Sequence, residues 1–491
     1  MKKYLWLPLA LSFLFISCTK NDDGVGLDPN GPNPNNVDAT TQDFMWKAMN
    51  LWYFWQQDVA DLADDRFTGD ADYTEFLVNT PDPAQFFDQL KFEEDRFSWA
   101  VSDYKELVNS LSGVTKSNGL DFTLFTSSDS ESLFGVINYI LPNSDASTKD
   151  ISRGEIFTAV NGTALTLSNY NDLLFGEEDT YTLNMADVDG TSLTPNGKEV
   201  TLTKFDNFQE DPIFINKTFD INGHKIGYLV YNRFLNEFDE QLNAAFGQMK
   251  TAGITDLVLD LRYNAGGSVN TSRLLSSMIF STNTNLVFLK DRWNDKLQDI
   301  LSETDYFAAT TNGGSPINTL NFNKVYILTT RGTASASELV INGLNPYIDV
   351  FLIGRTTRGK NEFSITMVDD PGREGAPYLY SSSRENFINP NNQWGIQPLL
   401  GRTENSEGFL DYTEGFAPMI DQQEELGNYG ELGDESEPLL STAIEEITGI
   451  SSRKALRTGP RMQMDYITNS KMFDPLKDNM ILDRAIDLKI Q

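Results

Sequence analysis

The chain has 491 residues, enough for about two to four domains. Its 40% hydrophobic and 12% aromatic content supplies packed cores, which excludes wholesale disorder. A formal charge of −33 excludes nucleic acid as a partner, because phosphate binding needs clustered Lys and Arg; such a surface instead suits solubility outside the cytoplasm.

The first segment begins Lys2-Lys3, continues as an apolar run from Tyr4 to Ile16 and ends at Cys18, the only cysteine. The run is too short for a permanent span and reads as a signal peptide over residues 1–17. Leu14-Phe15-Ile16-Ser17-Cys18 resembles the lipobox of bacterial lipoproteins. That resemblance implies lipidation of Cys18 and a cell-envelope lipoprotein of the outer membrane, on its periplasmic side or at the cell surface. A lipidated Cys18 leaves neither a disulfide nor a cysteine nucleophile. Residues 18–39, rich in Asn, Asp, Gly and Pro, then form a flexible tether, with Asp22 and Asp23 close to the lipid.

An N-terminal helical region is expected over 40–112. Phe44, Ala48, Leu51 and Trp55 recur at helical spacing behind a capping box of Thr40 and Asp43, and a second helix is expected from Pro83 to Phe92. The aromatic cluster Trp46, Trp52, Tyr53, Phe54 and Trp55 reads as packing rather than as a ligand platform. Over 113–206 short β-like runs follow: 120–125, 134–141 and 199–203. Gly119-Leu120-Asp121-Phe122, Pro142 with Ala146, and Arg153 to Gly162 resemble a bacterial PDZ domain. The resemblance implies a β-rich domain whose loop, Gly119 to Phe122, holds a peptide's terminal carboxylate while the peptide adds as an edge strand. Asp121 stands where a small residue is usual and would repel that carboxylate.

Over 207–450 strands and helices alternate: strands 225–231, 256–261, 324–330 and 350–354, helices 237–249, 269–280 and 337–344. This pattern specifies an α/β domain with a mainly parallel sheet and right-handed crossovers. Loops leaving the carboxyl ends of parallel strands share one edge. Three such loops carry Asn264-Ala265-Gly266-Gly267, Gly332-Thr333-Ala334-Ser335-Ala336-Ser337-Glu338, and Gly354 to Lys360.

Their chemistry is complementary. With His224 the only histidine, in a hairpin turn after Asn222-Gly223, Ser335 needs another base, and lysine is the substitute. Ser335 precedes a helix whose exposed N–H groups face developing negative charge. The N–H of Gly266 or Gly267, with that of Ala336, would form an oxyanion hole. Lys360 must be neutral to accept a proton, so its pKa must fall from about 10.4 toward 7 or 8 by desolvation.

Asp260 to Gly267, Gly332 to Glu338 and Gly354 to Lys360 together resemble the carboxyl-terminal processing peptidases, or tail-specific proteases, which are Ser-Lys endopeptidases that often carry a PDZ domain. The resemblance implies a ClpP/crotonase-like catalytic domain, Ser335 as nucleophile and Lys360 as general base, protein or peptide substrates, and no metal or other cofactor. Gly415-Phe416-Ala417-Pro418 and Gly433 to Leu440 resemble the end of that domain, leaving 451–491 as a C-terminal extension. Many members carry a lysine-orienting glutamine where this chain has Ser364, and Ala265 replaces a common glycine. The polar stretch 370–392 reads as a lid or recognition insert. Competing readings are weaker. Ser451-Ser452-Arg453-Lys454 fits Ser-x-x-Lys but lacks the companion motifs of penicillin-binding enzymes, and no carboxylate pair among 71 acids is singled out for glycosidase work. The alternative from another class is a non-catalytic, lipid-anchored peptide-binding protein on the same fold.

Overall fold

The computed structural model describes residues 38–126, 131–450, 462, 464–474 and 476–488. The signal peptide, Cys18, most of the tether and the Ser451 to Lys454 motif lie outside the described residues.

The first helix, Thr40–Trp52, buries Phe44, Ala48 and Trp52, as the helical spacing requires. The expected capping box is absent. Asp38 accepts both the Thr40 N–H (3.0 Å) and hydroxyl (2.6 Å), so Thr40 becomes the first helical residue, and Asp43 is occupied with Tyr73 Oη (2.8 Å) and Lys47 (2.9 Å). Helices Asp70–Asn79 and Pro83–Gln89 follow, the second capped by Asp82. The aromatic cluster is core: Trp46 packs edge-on against Phe67 and Tyr73, and Trp55 stacks on Phe92. The 370–392 stretch packs on the helical region. Pro377 O accepts from Trp52 Nε1 (2.9 Å) and Tyr378 packs on Phe44.

The β-rich part is a seven-stranded antiparallel sheet whose main path runs Asp465–Asn469, Leu120–Thr126, Leu133–Ile140, Ile156–Val160, Thr180–Asp189, Ser192–Thr203. Its long hairpin turns at Gly190 (φ 62°), a left-handed conformation that favours glycine. The first strand in this order comes from the C-terminal extension.

The α/β part holds a six-stranded sheet in the order Ile213–Ile221, His224–Tyr231, Asp256–Asp260, Lys324–Thr329, Asp349–Gly354, Ile420–Asp421. All neighbours are parallel except the first hairpin. Alternate side chains serve opposite layers, as a two-residue period dictates. Leu257, Leu259, Val325 and Ile327 face helices Asp239–Ala252, Val269–Ile279 and Ala336–Leu344, while Val258, Tyr326 and Leu328 face Pro438–Thr448. Burial on both faces explains the continuous apolar runs, and each such side chain contributes about 1.5–3 kcal/mol. A second sheet runs Gly267–Ser268, Met480–Ile481, Glu362–Ser364, Leu399–Glu404, Val287–Trp293, Thr304–Tyr306. It meets the first where the loops converge.

Candidate active site

Leu328 pairs with both Asp260 and Ile353, so the three neighbouring strands end at one level and deliver their loops to the same edge. The loops are stitched together. Asn264 O accepts Ala334 N–H (3.1 Å) and Ser337 Oγ–H (3.0 Å), Thr333 Oγ1 donates to Leu261 O (2.8 Å), and Arg358 N–H donates to Thr333 O (2.9 Å).

Ser335 sits at the N-cap of helix Ala336–Leu344 with φ 63° and ψ −117°, a strained conformation for a residue with a side chain. That turn projects Ser335 out of the strand-to-helix path. Gly266 must be glycine: a Cβ there would lie 2.6 Å from Ser335 Cβ and 2.7 Å from Oγ. Ser335 Oγ is buried and has no hydrogen-bond partner among the described residues.

Glu338 holds the elbow and the lysine loop in one geometry. Its buried carboxylate accepts from the N–H of Ser335 (2.9 Å), Gly359 (2.6 Å) and Lys360 (2.9 Å) and from Thr357 Oγ1 (2.5 Å). The sequence signal for it was a glutamate three residues after an N-cap serine.

Lys360 is fully buried and its Nζ lies 5.0 Å from the centre of the Phe97 ring. Burial pulls its pKa from 10.5 to about 8, while Asp478, Glu362 and Asp95 oppose that shift. Nζ donates to Asn479 Oδ1 at 2.6 Å. Ser364 does not orient the amine. Its short side chain reaches only Met480 O (3.4 Å), and Asn479, from the C-terminal extension, takes the place at the lysine.

The oxyanion donors differ from expectation. Gly266 N–H donates to Asn264 Oδ1 (2.9 Å) and Gly267 N–H to Asn479 O (3.0 Å), so neither points into an open hole. Ala336 N–H, at the first helical position, has no intrahelical acceptor. Beneath the loop, Arg262 is fully buried and donates to Asp260, Glu437 and Glu424. Arg153 joins Glu424 and Tyr263 from the β-rich sheet, linking it to this charge cluster.

The Gly119 to Phe122 loop is likewise filled. Gly119 N–H donates to Ser117 Oγ (2.9 Å), Leu120 N–H to Asn118 Oδ1 (3.0 Å) and Phe122 N–H to Ser470 Oγ (3.2 Å). With these amides committed and Asp121 buried beneath them, the loop holds no free carboxylate in this arrangement. His224 begins its strand, bonded to Asp256 at the start of the next (2.9 Å), whereas the site lies at the carboxyl ends. It is on the wrong edge of the sheet to serve Ser335.

Comparison with known proteins gives a consistent picture. Residues 225–398 match the model of Peptidase family S41 and residues 40–99 that of the Peptidase S41 N-terminal domain. The carboxy-terminal processing protease CtpB of Bacillus subtilis (strain 168) is 24% identical over 185 residues, 37% of this chain and 34% of that protein. The chloroplastic carboxyl-terminal-processing peptidase 3 of Arabidopsis thaliana is 26% identical over 261 residues, 50% of this chain and 47% of its own. The chain thus spans about a third to a half of the length of these curated relatives. A crystal structure of a putative S41 protease from Bacteroides fragilis NCTC 9343 superposes with a TM-score of 0.62 at 27% identity, covering 83% of this chain and 97% of that one. Sequence motifs, sheet-edge geometry and these matches agree that residues 40–99 and 225–398 carry domains of peptidase family S41.

Proposed function

We propose that the protein is a serine-type endopeptidase of the carboxyl-terminal processing class, with Ser335 as nucleophile and Lys360 as general base. The observation that carries the reading is Lys360 itself, a fully buried amine whose pKa falls to about 8, on a loop whose backbone shares the Glu338 carboxylate with the strained, helix-capping Ser335. Near neutral pH a useful fraction of such an amine is unprotonated. It takes the proton of Ser335 Oγ as the oxygen attacks the scissile carbonyl, and later returns it to the leaving amine, giving an acyl-enzyme that water hydrolyses. Ala336 N–H and the positive end of helix Ala336–Leu344 stabilise the oxyanion, helped by a loop glycine amide once it is released from its present acceptor. Substrates are exported proteins or peptides, engaged along the PDZ-like sheet, and the enzyme is held at the outer membrane through lipidated Cys18.

A second reading, a peptide-binding protein without turnover, draws on the engagement of Lys360 with Asn479 and the unpartnered Ser335 Oγ. The test compares wild type, Ser335→Ala and Lys360→Ala on an unfolded protein such as reduced, alkylated casein. Cleavage by wild type and loss of at least a thousandfold in both variants is expected. Equal cleavage by all three would remove the Ser-Lys assignment, and binding without wild-type cleavage would favour the second reading.

A further inference from the structure

A peptide to be cleaved must lie against both the oxyanion loop and the base, because its carbonyl has to reach Ser335 and a loop amide together. That place is taken. Met480–Ile481 forms a strand between Gly267–Ser268, in the oxyanion loop, and Glu362–Ser364, directly after Lys360. One residue before it, Asn479 engages both parts of the machinery: its carbonyl accepts Gly267 N–H and its side chain accepts Lys360 Nζ–H.

The same segment fills the PDZ-like edge. Asp465–Asn469 adds antiparallel to Leu120–Thr126, in register from Asp465 with Thr126 to Asn469 with Thr123, running toward the Gly119 to Phe122 loop. There the chain does not end in a carboxylate but continues as Ser470, whose Oγ accepts Phe122 N–H and donates to Asp121 Oδ2 (3.0 Å). Lys471 follows, buried, and donates to Asn232 O (2.8 Å). Asp121, ill suited to a free carboxylate, is suited to a hydroxyl within a continuing chain.

We propose that residues 465–474 and 476–482 are a tethered occupant of one continuous peptide groove, running from the PDZ-like edge to Ser335, and that they hold the enzyme latent until an extended peptide displaces them. The proposal rests on the Ser335 and Lys360 reading. The occupant also defines its competitor. Met480, Ile481 and Leu482 are buried, so a displacing chain must be extended and apolar, as segments of unfolded proteins are. Displacement frees Gly267 N–H for the oxyanion and Lys360 Nζ for Ser335 Oγ.

A reversible lock tests this without deleting core residues. In the full chain carrying Cys18→Ser, Thr126→Cys with Asp465→Cys places two thiols on directly opposed strand positions. Casein cleavage at least tenfold slower when the pair is oxidised, recovered on reduction with dithiothreitol, is expected; equal rates in both states would overturn the proposal. A second readout needs no turnover: amide hydrogen exchange over 464–482 in Ser335→Ala, with and without unfolded casein. Faster exchange with casein is expected, and exchange unchanged by saturating casein would overturn the proposal. Absence of cleavage in both redox states would count against the Ser-Lys reading, and the exchange measurement would still decide whether the segment yields.

Discussion

Replacing Lys360 with methionine keeps the length and bulk of the side chain and removes its amine, which should abolish cleavage and change stability in a pH-dependent way. Lowering the amine from 10.5 to about 8 means that the folded state carries a cost of about 3 kcal/mol while the lysine stays protonated. Lys360→Met removes that cost, but it leaves Asn479 Oδ1 without its donor, a loss of about 1–3 kcal/mol. At pH 7 the variant is therefore expected to match or exceed wild type by about 1 kcal/mol. Between pH 8 and 10.5 the unfolded wild-type chain binds more protons than the folded one, so wild-type stability rises with pH relative to the variant. The two curves cross in that window, and above it wild type is the more stable. Urea unfolding of both proteins at a series of pH values from 7 to 10.5, with m-values checked for equality, measures the crossing. A stability difference that stays constant over the whole range would refute a lysine buried with a lowered pKa.

Glu338→Gln retains shape but turns two N–H donors toward an amide NH2, so a loss of about 2–4 kcal/mol and a Tm lower by about 2–4 °C are expected by calorimetry, with cleavage reduced in step with the displaced elbow. Gly266→Ala forces a methyl into the Ser335 side chain and should reduce kcat/KM by at least a hundredfold while circular dichroism reports an unchanged fold. His224→Ala, on the opposite sheet edge, should leave kcat/KM within about twofold of wild type, with a stability change near 1 kcal/mol from its bond to Asp256; a large catalytic loss there would point to a different base.

What the sequence makes legible follows from burial. Strands Asp256–Asp260 and Lys324–Thr329 read clearly because both faces are covered, and their loops carry Ser335 and the Asn264 to Gly267 turn in recognisable patterns. The hairpin Thr180–Asp189 with Ser192–Thr203 was legible only at its end, since much of it is exposed and polar positions break the pattern. The capping box at Thr40 failed because Asp38, two residues earlier in the chain, competes for the same groups. Asn479 could not be found at all. A two-residue strand has no periodicity, and the contact between Asn479 and Lys360 spans 119 positions. The missing glutamine at Ser364 showed that something else had to meet the amine, without saying what.

The most direct test of the account is covalent labelling of the nucleophile. Wild type, Ser335→Ala and Lys360→Met are incubated to completion with a fluorophosphonate in the presence of unfolded casein, across pH 6.5 to 9.5, and the adduct is mapped by peptide mass spectrometry. The account predicts one stoichiometric adduct on the peptide holding Ser335, forming at a rate that rises through an apparent pKa near 8 and absent from both variants. An adduct on another residue, or labelling of Ser335 that proceeds equally well in Lys360→Met, would contradict it.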